Sequence, residues 1–155
     1  MSIDYIVASL PILAFEAPPG ITREDFDALA KDAIRPALEK WRDIETQLRN
    51  AMALCRKGGE KWVREAKGCS IYWKNRVAAC FQEKDVAKRD EMLDRVWWDA
   101  AEELAAPSSP LGVGALAAYS VRLDIAIKRS RISREKGETL FDESIKTKTT
   151  KPQDI

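Results

Sequence analysis

The sequence predicts an all-α protein, an irregular bundle of four to six helices. Three observations carry this expectation. Apolar residues recur at steps of three and four over long stretches, which gathers them on one helix face. Alanine is abundant and β-branched runs are few. The strong breakers cluster between those stretches, at 17–20, 58–59 and 107–110. The 155 residues suit one domain, read as 1–145, with 146–155 as a flexible tail.

In chain order, residues 1–15 are apolar without helical spacing, and fit either a short extended segment or a helical turn. Thr22 reads as an N-cap with Glu24 and Asp25 in the first turn, ahead of Phe26, Leu29, Ala30 and Ala33. Arg35-Pro36 is expected to end or bend this helix. Residues 37–57 give a clear stripe of Leu38, Trp41, Ile44, Leu48, Ala51 and Cys55, with Glu45 and Arg49 paired at i and i+4. Gly58-Gly59 supplies a left-handed stop. Residues 60–82 read as a short helix carrying Trp62, a break at Gly68, and a second helix carrying Trp73, Val77 and Cys80. Residues 84–106 read as one long helix, with Val86, Leu93, Val96 or Trp97, Ala100 and Leu104 facing in. Ser109 and Pro110 read as the cap and first residue of the next helix, which carries Leu111, Ala115, Ala118, Tyr119, Leu123, Ala126 and Ile127. Ser133 starts a final helix with Leu140, Phe141 and Ile145. The expected core is Leu38, Trp41, Ile44, Leu48, Val96, Leu104, Tyr119 and Leu123.

Composition excludes several chemistries. Apolar residues make up 45% and charged residues 33%, as in a soluble globular chain. Lysine plus arginine is 26 and aspartate plus glutamate 25, so the net charge is +1. That balance provides no bulk attraction to nucleic acid or anionic lipid. There is no histidine, which removes His-based nucleophile pairs and the common zinc motifs. The three cysteines, Cys55, Cys69 and Cys80, form no CxxC pair and read as reduced thiols, two of them buried. No metal, cofactor or catalytic residue is expected. The apolar run from Ile6 to Phe15 is short of the roughly 20 residues of a membrane helix and lacks the basic start of a signal peptide. A cytoplasmic location is expected.

Gly112-x-Gly114-x-x-Ala117 follows Pro-Ser-Ser-Pro rather than a strand, so it reads as a small-residue packing face and not a dinucleotide loop. The acidic run Asp90 to Glu103 reads as a solvated helix face. The basic run Lys128, Arg129, Arg131, Arg134 and Lys136, with Arg122 seven positions before Arg129, is the strongest charged patch. It reads either as a salt-bridged face or as a protein-docking surface. Nucleic acid is disfavoured because no aromatics interleave with the cations. Trp97 and Trp98 are neighbours and cannot both face one core, so Trp98 joins Arg122, Lys128 and Arg129 as a candidate interface residue.

Three stretches together resemble a bacterial family of proteins of unknown function found with V/A-type rotary ATPases, similar to the C (eukaryotic d) subunit. They are the opening Tyr5-Ile-Val-Ala-Ser-Leu-Pro11-Ile-Leu13, the helix Glu45-Thr-Gln-Leu-Arg49-Asn50, and Ala118-Tyr119-Ser-Val-Arg122 through Arg129 to Glu135-Lys-Gly137 and Phe141. The resemblance implies a non-catalytic helical part linking the central stalk to the membrane rotor ring. It implies stalk or ring subunits as partners, a place at the inner face of the membrane through that complex, and Arg49 and Asn50 as further interface residues. A free-standing adaptor or regulator, or a ligand binder or enzyme using carboxylates, is the alternative.

Overall fold

The computed structural model describes residues 1–107 and 109–149, the last three as backbone only. Among these the chain is helical without a strand: α1 (Ile3–Ser9), α2 (Arg23–Ala30), α3 (Arg35–Leu54), a 3-10 turn (Gly59–Trp62), α4 (Ile71–Cys80), α5 (Val86–Ala100), α6 (Glu102–Ala105) and α7 (Val113–Thr149). The all-α expectation therefore holds. α7 is the organising element, and α1, α2, α3, α5 and α6 all pack on it, while α4 packs on α3 and α5.

Local signals explain most boundaries. Thr22 caps α2 through its Oγ1, which accepts from the Asp25 amide. Ser70 caps α4 and Asp85 caps α5 in the same way. Pro36 opens α3 instead of ending a helix, because a proline in the first turn has no amide to lose. Gly58 takes the left-handed conformation, at φ 72°, in the turn that follows the end of α3.

Several expectations are corrected. Residues 3–9 form a helix, which decides between the two readings of this stretch in favour of the helical turn. It is held by burial of Ile6, which has no sequence periodicity to announce it. Residues 60–65 do not form an α-helix; Trp62 ends a 3-10 turn and is 68% exposed. The 84–106 helix is broken at Ala101 into α5 and α6, and Val86 is exposed. Ser109 does not cap a helix. Its Oγ accepts from the Leu111 amide in a turn, and α7 opens at Val113. No second helix starts at Ser133, since α7 runs on for 37 residues in all. Residues 146–149 continue it, and the remainder of the expected tail, 150–155, lies outside the described residues, as does Ser108 of the expected breaker. Of the cysteines, Cys80 is buried whereas Cys55 and Cys69 are exposed.

The core matches the expected set. Trp41, Ile44, Leu48, Val96, Leu104 and Leu123 are buried, and Leu38 and Tyr119 are half-buried against them. Phe26, stacked on Tyr119 at 5.6 Å, and Ile34 complete it. Gly114 and Ala117 are buried in α7, consistent with a packing face. Among the described residues no helix is long and apolar enough to cross a membrane.

Candidate functional site

α3 presents its polar edge to a loop that has little regular structure. Asp43 Oδ1 accepts from the Lys67 amide at 2.7 Å and its Oδ2 from the Gly68 amide at 3.1 Å. Gln47 Oε1 accepts from the Ser70 amide at 2.9 Å. Asn50 makes a two-way clasp, accepting from the Arg64 amide at 2.8 Å and donating to the Arg64 carbonyl at 2.7 Å. These side chains substitute for the backbone partners that the amides of Arg64, Lys67, Gly68 and Ser70 lack, which is how a loop without helix or strand stays ordered. The Lys67 amide holds the Asp43 carboxyl below 3.8, even though partial burial works against it.

The clasped loop and the 3-10 turn form one wall of an open groove of about 910 Å3, with α3 beside it and α5 and α7 opposite. Met52, Leu93, Trp97 and Ile125 supply apolar surface, and the exposed Trp62 stands at the rim. The α3 side and the loop contribute Arg42, Arg49, Arg56, Lys57 and Arg64. Arg49 pairs with Glu45 at 3.3 Å. Among the described residues, Arg42, Arg56, Lys57 and Arg64 have no carboxylate within ion-pair distance. The carboxylates that share the groove, Glu45, Asp90 and Asp94, are paired with Arg49, Lys128 and Arg129, which leaves those four cations unpaired among the described residues.

Beneath the rim lies a four-charge cluster. Lys128 Nζ reaches Asp94 Oδ1 at 2.9 Å and Asp90 Oδ1 at 3.1 Å. Arg129 reaches Asp90 Oδ2 and Asp94 Oδ2, each at 3.4 Å. The Arg129 side chain is only 9% exposed. Burial raises the Asp94 carboxyl above 3.8, outweighing the pull of Lys128 and Arg129.

The expected interface residues divide. Arg49, Asn50 and Lys128 line the groove together. Arg129 lies in the cluster below, tied to α5. Arg122 and Trp98 sit elsewhere and serve the fold. Arg122 donates to the Trp98 carbonyl at 3.0 Å, pairs with Glu102 at 3.3 Å and covers the Trp98 ring, which meets Phe15 edge-on. The basic run and the acidic run thus meet across α5, α6 and α7. The acidic run is not a solvated face, since Asp90, Asp94, Asp99 and Glu102 are all in ion pairs with residues of other helices. Sequence reasoning missed Arg42, Arg56, Lys57 and Arg64. Arg42 and Lys57 have no carboxylate at i±4, but Arg56 and Arg64 each have Glu60 there, so no single spacing marked the four. Their convergence depended on the clasp made by Asn50.

No known protein family matches the chain, and no curated protein or solved structure matches it.

Proposed function

We propose that the chain is a non-catalytic protein-binding subunit, that its groove receives an acidic helical segment of the partner, and that the partner belongs to a V/A-type rotary ATPase. The observation that carries the binding role is the rim of Arg42, Arg56, Lys57 and Arg64, none of them ion-paired, over Met52, Leu93, Trp97 and Ile125, with the acids of the floor, Asp90 and Asp94, already paired to Lys128 and Arg129. Arginine forks match carboxylates bidentately, and Trp62 and Trp97 offer the aromatic anchors that interfaces use. The rotary-ATPase partner is supported by the resemblance of the three stretches. Two of them also meet in space, where the Tyr119 hydroxyl donates to the Pro11 carbonyl at 2.6 Å. On this reading the chain works in the cytoplasm, at the inner face of the membrane through its complex.

The test is isolation of the tagged full chain from its native cells after mild cross-linking. Near-stoichiometric stalk or ring subunits, lost on combining Arg42→Glu with Arg56→Glu, are the expected result. Recovery of other proteins alone, sensitive to the same variant, would favour a free-standing adaptor. Recovery that ignores the variant would take the groove out of the account.

The raised Asp94 carboxyl at the base of the groove favours a second reading, a small anionic ligand handled with a carboxylate. Native mass spectrometry separates the two. A retained small molecule supports the second, and a bare chain that binds acidic helices supports the first.

A further inference from the structure

The balanced total charge of +1 conceals an uneven distribution. Residues 61–74 carry Lys61, Arg64, Lys67 and Lys74 against a single acid, Glu65. Among the described residues none of these four cations is in an ion pair. The same stretch holds four large apolar side chains that the fold leaves uncovered: Trp62 at 68% exposed, Val63 at 42%, Ile71 at 71% and Tyr72 at 61%.

The clasp on α3 draws the two apolar pairs together. Arg64 is fastened to Asn50 and Ser70 to Gln47. Those anchors are three positions apart, which is about 4.5 Å along the axis of α3. Residues 64–70 therefore form a closed loop, with Trp62-Val63 and Ile71-Tyr72 just outside its two ends. In α4 the buried side is Trp73, Val77 and Cys80, and Ile71 falls on the opposite side. The cations surround these pairs. Lys61 lies over the Trp62 ring at 5.6 Å, Lys67 is exposed on the loop, and Lys74 is exposed one turn along α4 from Ile71. The result is an ordered ledge whose outer surface mixes apolar side chains with unpaired positive charge.

Its chemistry differs from that of the groove. The groove lining takes in Trp62 and Arg64 but none of Val63, Lys67, Ile71, Tyr72 and Lys74. Outside the groove the cations of the ledge are all lysine. A lysine is a point charge on a flexible stem, without the fork by which arginine fits one fixed carboxylate. Such charges suit a field of mobile anions better than a shaped partner. Tryptophan and tyrosine combine an apolar body with a polar tip, which favours the boundary between water and acyl chains. Val63 and Ile71 offer no ring on which a base could stack, which argues against nucleic acid.

We propose that residues 61–74 dock on an anionic lipid surface. The lysines lie among the head groups, and Trp62, Val63, Ile71 and Tyr72 enter the boundary with the acyl chains. The chain lies on the bilayer without spanning it. Because the clasp already orders the loop, little ordering is left to oppose binding. The ledge does not depend on the groove, and either can fail alone.

The test is cosedimentation of the full chain with vesicles of phosphatidylcholine, and with vesicles in which about a third of the lipid is phosphatidylserine. The wild type is expected to pellet with the anionic vesicles only, and less as salt rises. Each lysine near such a surface contributes about fivefold in affinity, so Lys61→Glu, Lys67→Glu and Lys74→Glu together should lower it by about a hundredfold or more. The melting temperature should not change, because these side chains are exposed and unpaired. Ile71→Asp places an acid in the first turn of α4, where a helix accepts it, and should weaken binding by about tenfold. Arg131→Glu, Arg134→Glu and Lys136→Glu together change the net charge equally on the exposed end of α7, and should leave most of the binding in place. Trp62 and Arg64 are untouched, so the groove stays intact in every variant. A wild type that remains in the supernatant with both vesicles would overturn the proposal and leave the ledge to an acidic protein surface. Triple lysine or Ile71→Asp variants that bind like wild type would overturn it too. So would an α7 variant that loses as much as the ledge variant, since binding would then follow net charge alone.

Discussion

The two halves of α7 belong to one continuous helix and reach opposite surroundings. Leu123 in the first half is fully buried, and Leu140 in the second is 61% exposed. Arg129 in the first half is held by two carboxylates with its side chain 9% exposed, while Arg134 in the second is exposed. The contrast teaches that periodicity reports which face of a helix needs cover. It does not report whether the chain supplies the cover, which depends on where the other helices end.

The contrast can be broken or sharpened by paired substitutions. Leu123→Ala should cost about 2–5 kcal/mol, as buried leucines do when a cavity is left behind. Leu140→Ala should change stability by less than about 0.5 kcal/mol. Denaturant titrations of both would show the difference; equal costs would erase it. Next comes the charge pair. Arg129→Ala removes two contacts and leaves Asp94 largely buried, for a loss of about 1–3 kcal/mol. Arg134→Ala should be near neutral.

Tyr119→Phe retains the ring stacked on Phe26 and deletes the bond to the Pro11 carbonyl, for about 0.5–1.5 kcal/mol. A larger loss would mean that α1 and the segment after it depend on that single bond. The smallest effect concerns pH. The Asp43 carboxyl is lowered in the fold by the Lys67 amide, so its stabilisation is fully present above 3.8 and fades as pH falls through the folded value. Asp94 acts with the opposite sign. Burial raises it, so its contribution declines as pH rises from 3.8 through the folded value and is level beyond. The stability difference between wild type and Asp43→Asn should therefore be constant near neutrality and shrink on acidification. A difference that persists at the lowest pH would show that Asp43 holds the loop without its charge.

The helical class and the inward residues of α3, α4 and α7 were legible because each helix buries one face and the three-and-four spacing records it. The N-terminal helix was not, because Ile3–Ser9 has only two turns and a single buried residue, Ile6. The ordered loop at 63–70 was not either, because its stability comes from Asp43, Gln47 and Asn50, which are distant in sequence. The site was half legible. Arg49, Asn50 and Lys128 were singled out and do converge on the groove. The spacing of Arg122 and Arg129 fits a docking surface or a salt-bridged face equally, and could not show that Trp98, Glu102, Asp90 and Asp94 stand opposite them.

Hydrogen exchange along α7 tests the central contrast most directly. Amides from 116 to 128 should exchange only through global unfolding, and those from 133 to 146 should exchange orders of magnitude faster through local fraying. Equal protection in both halves would contradict the account, since the exposed half would then be as stable as the buried one.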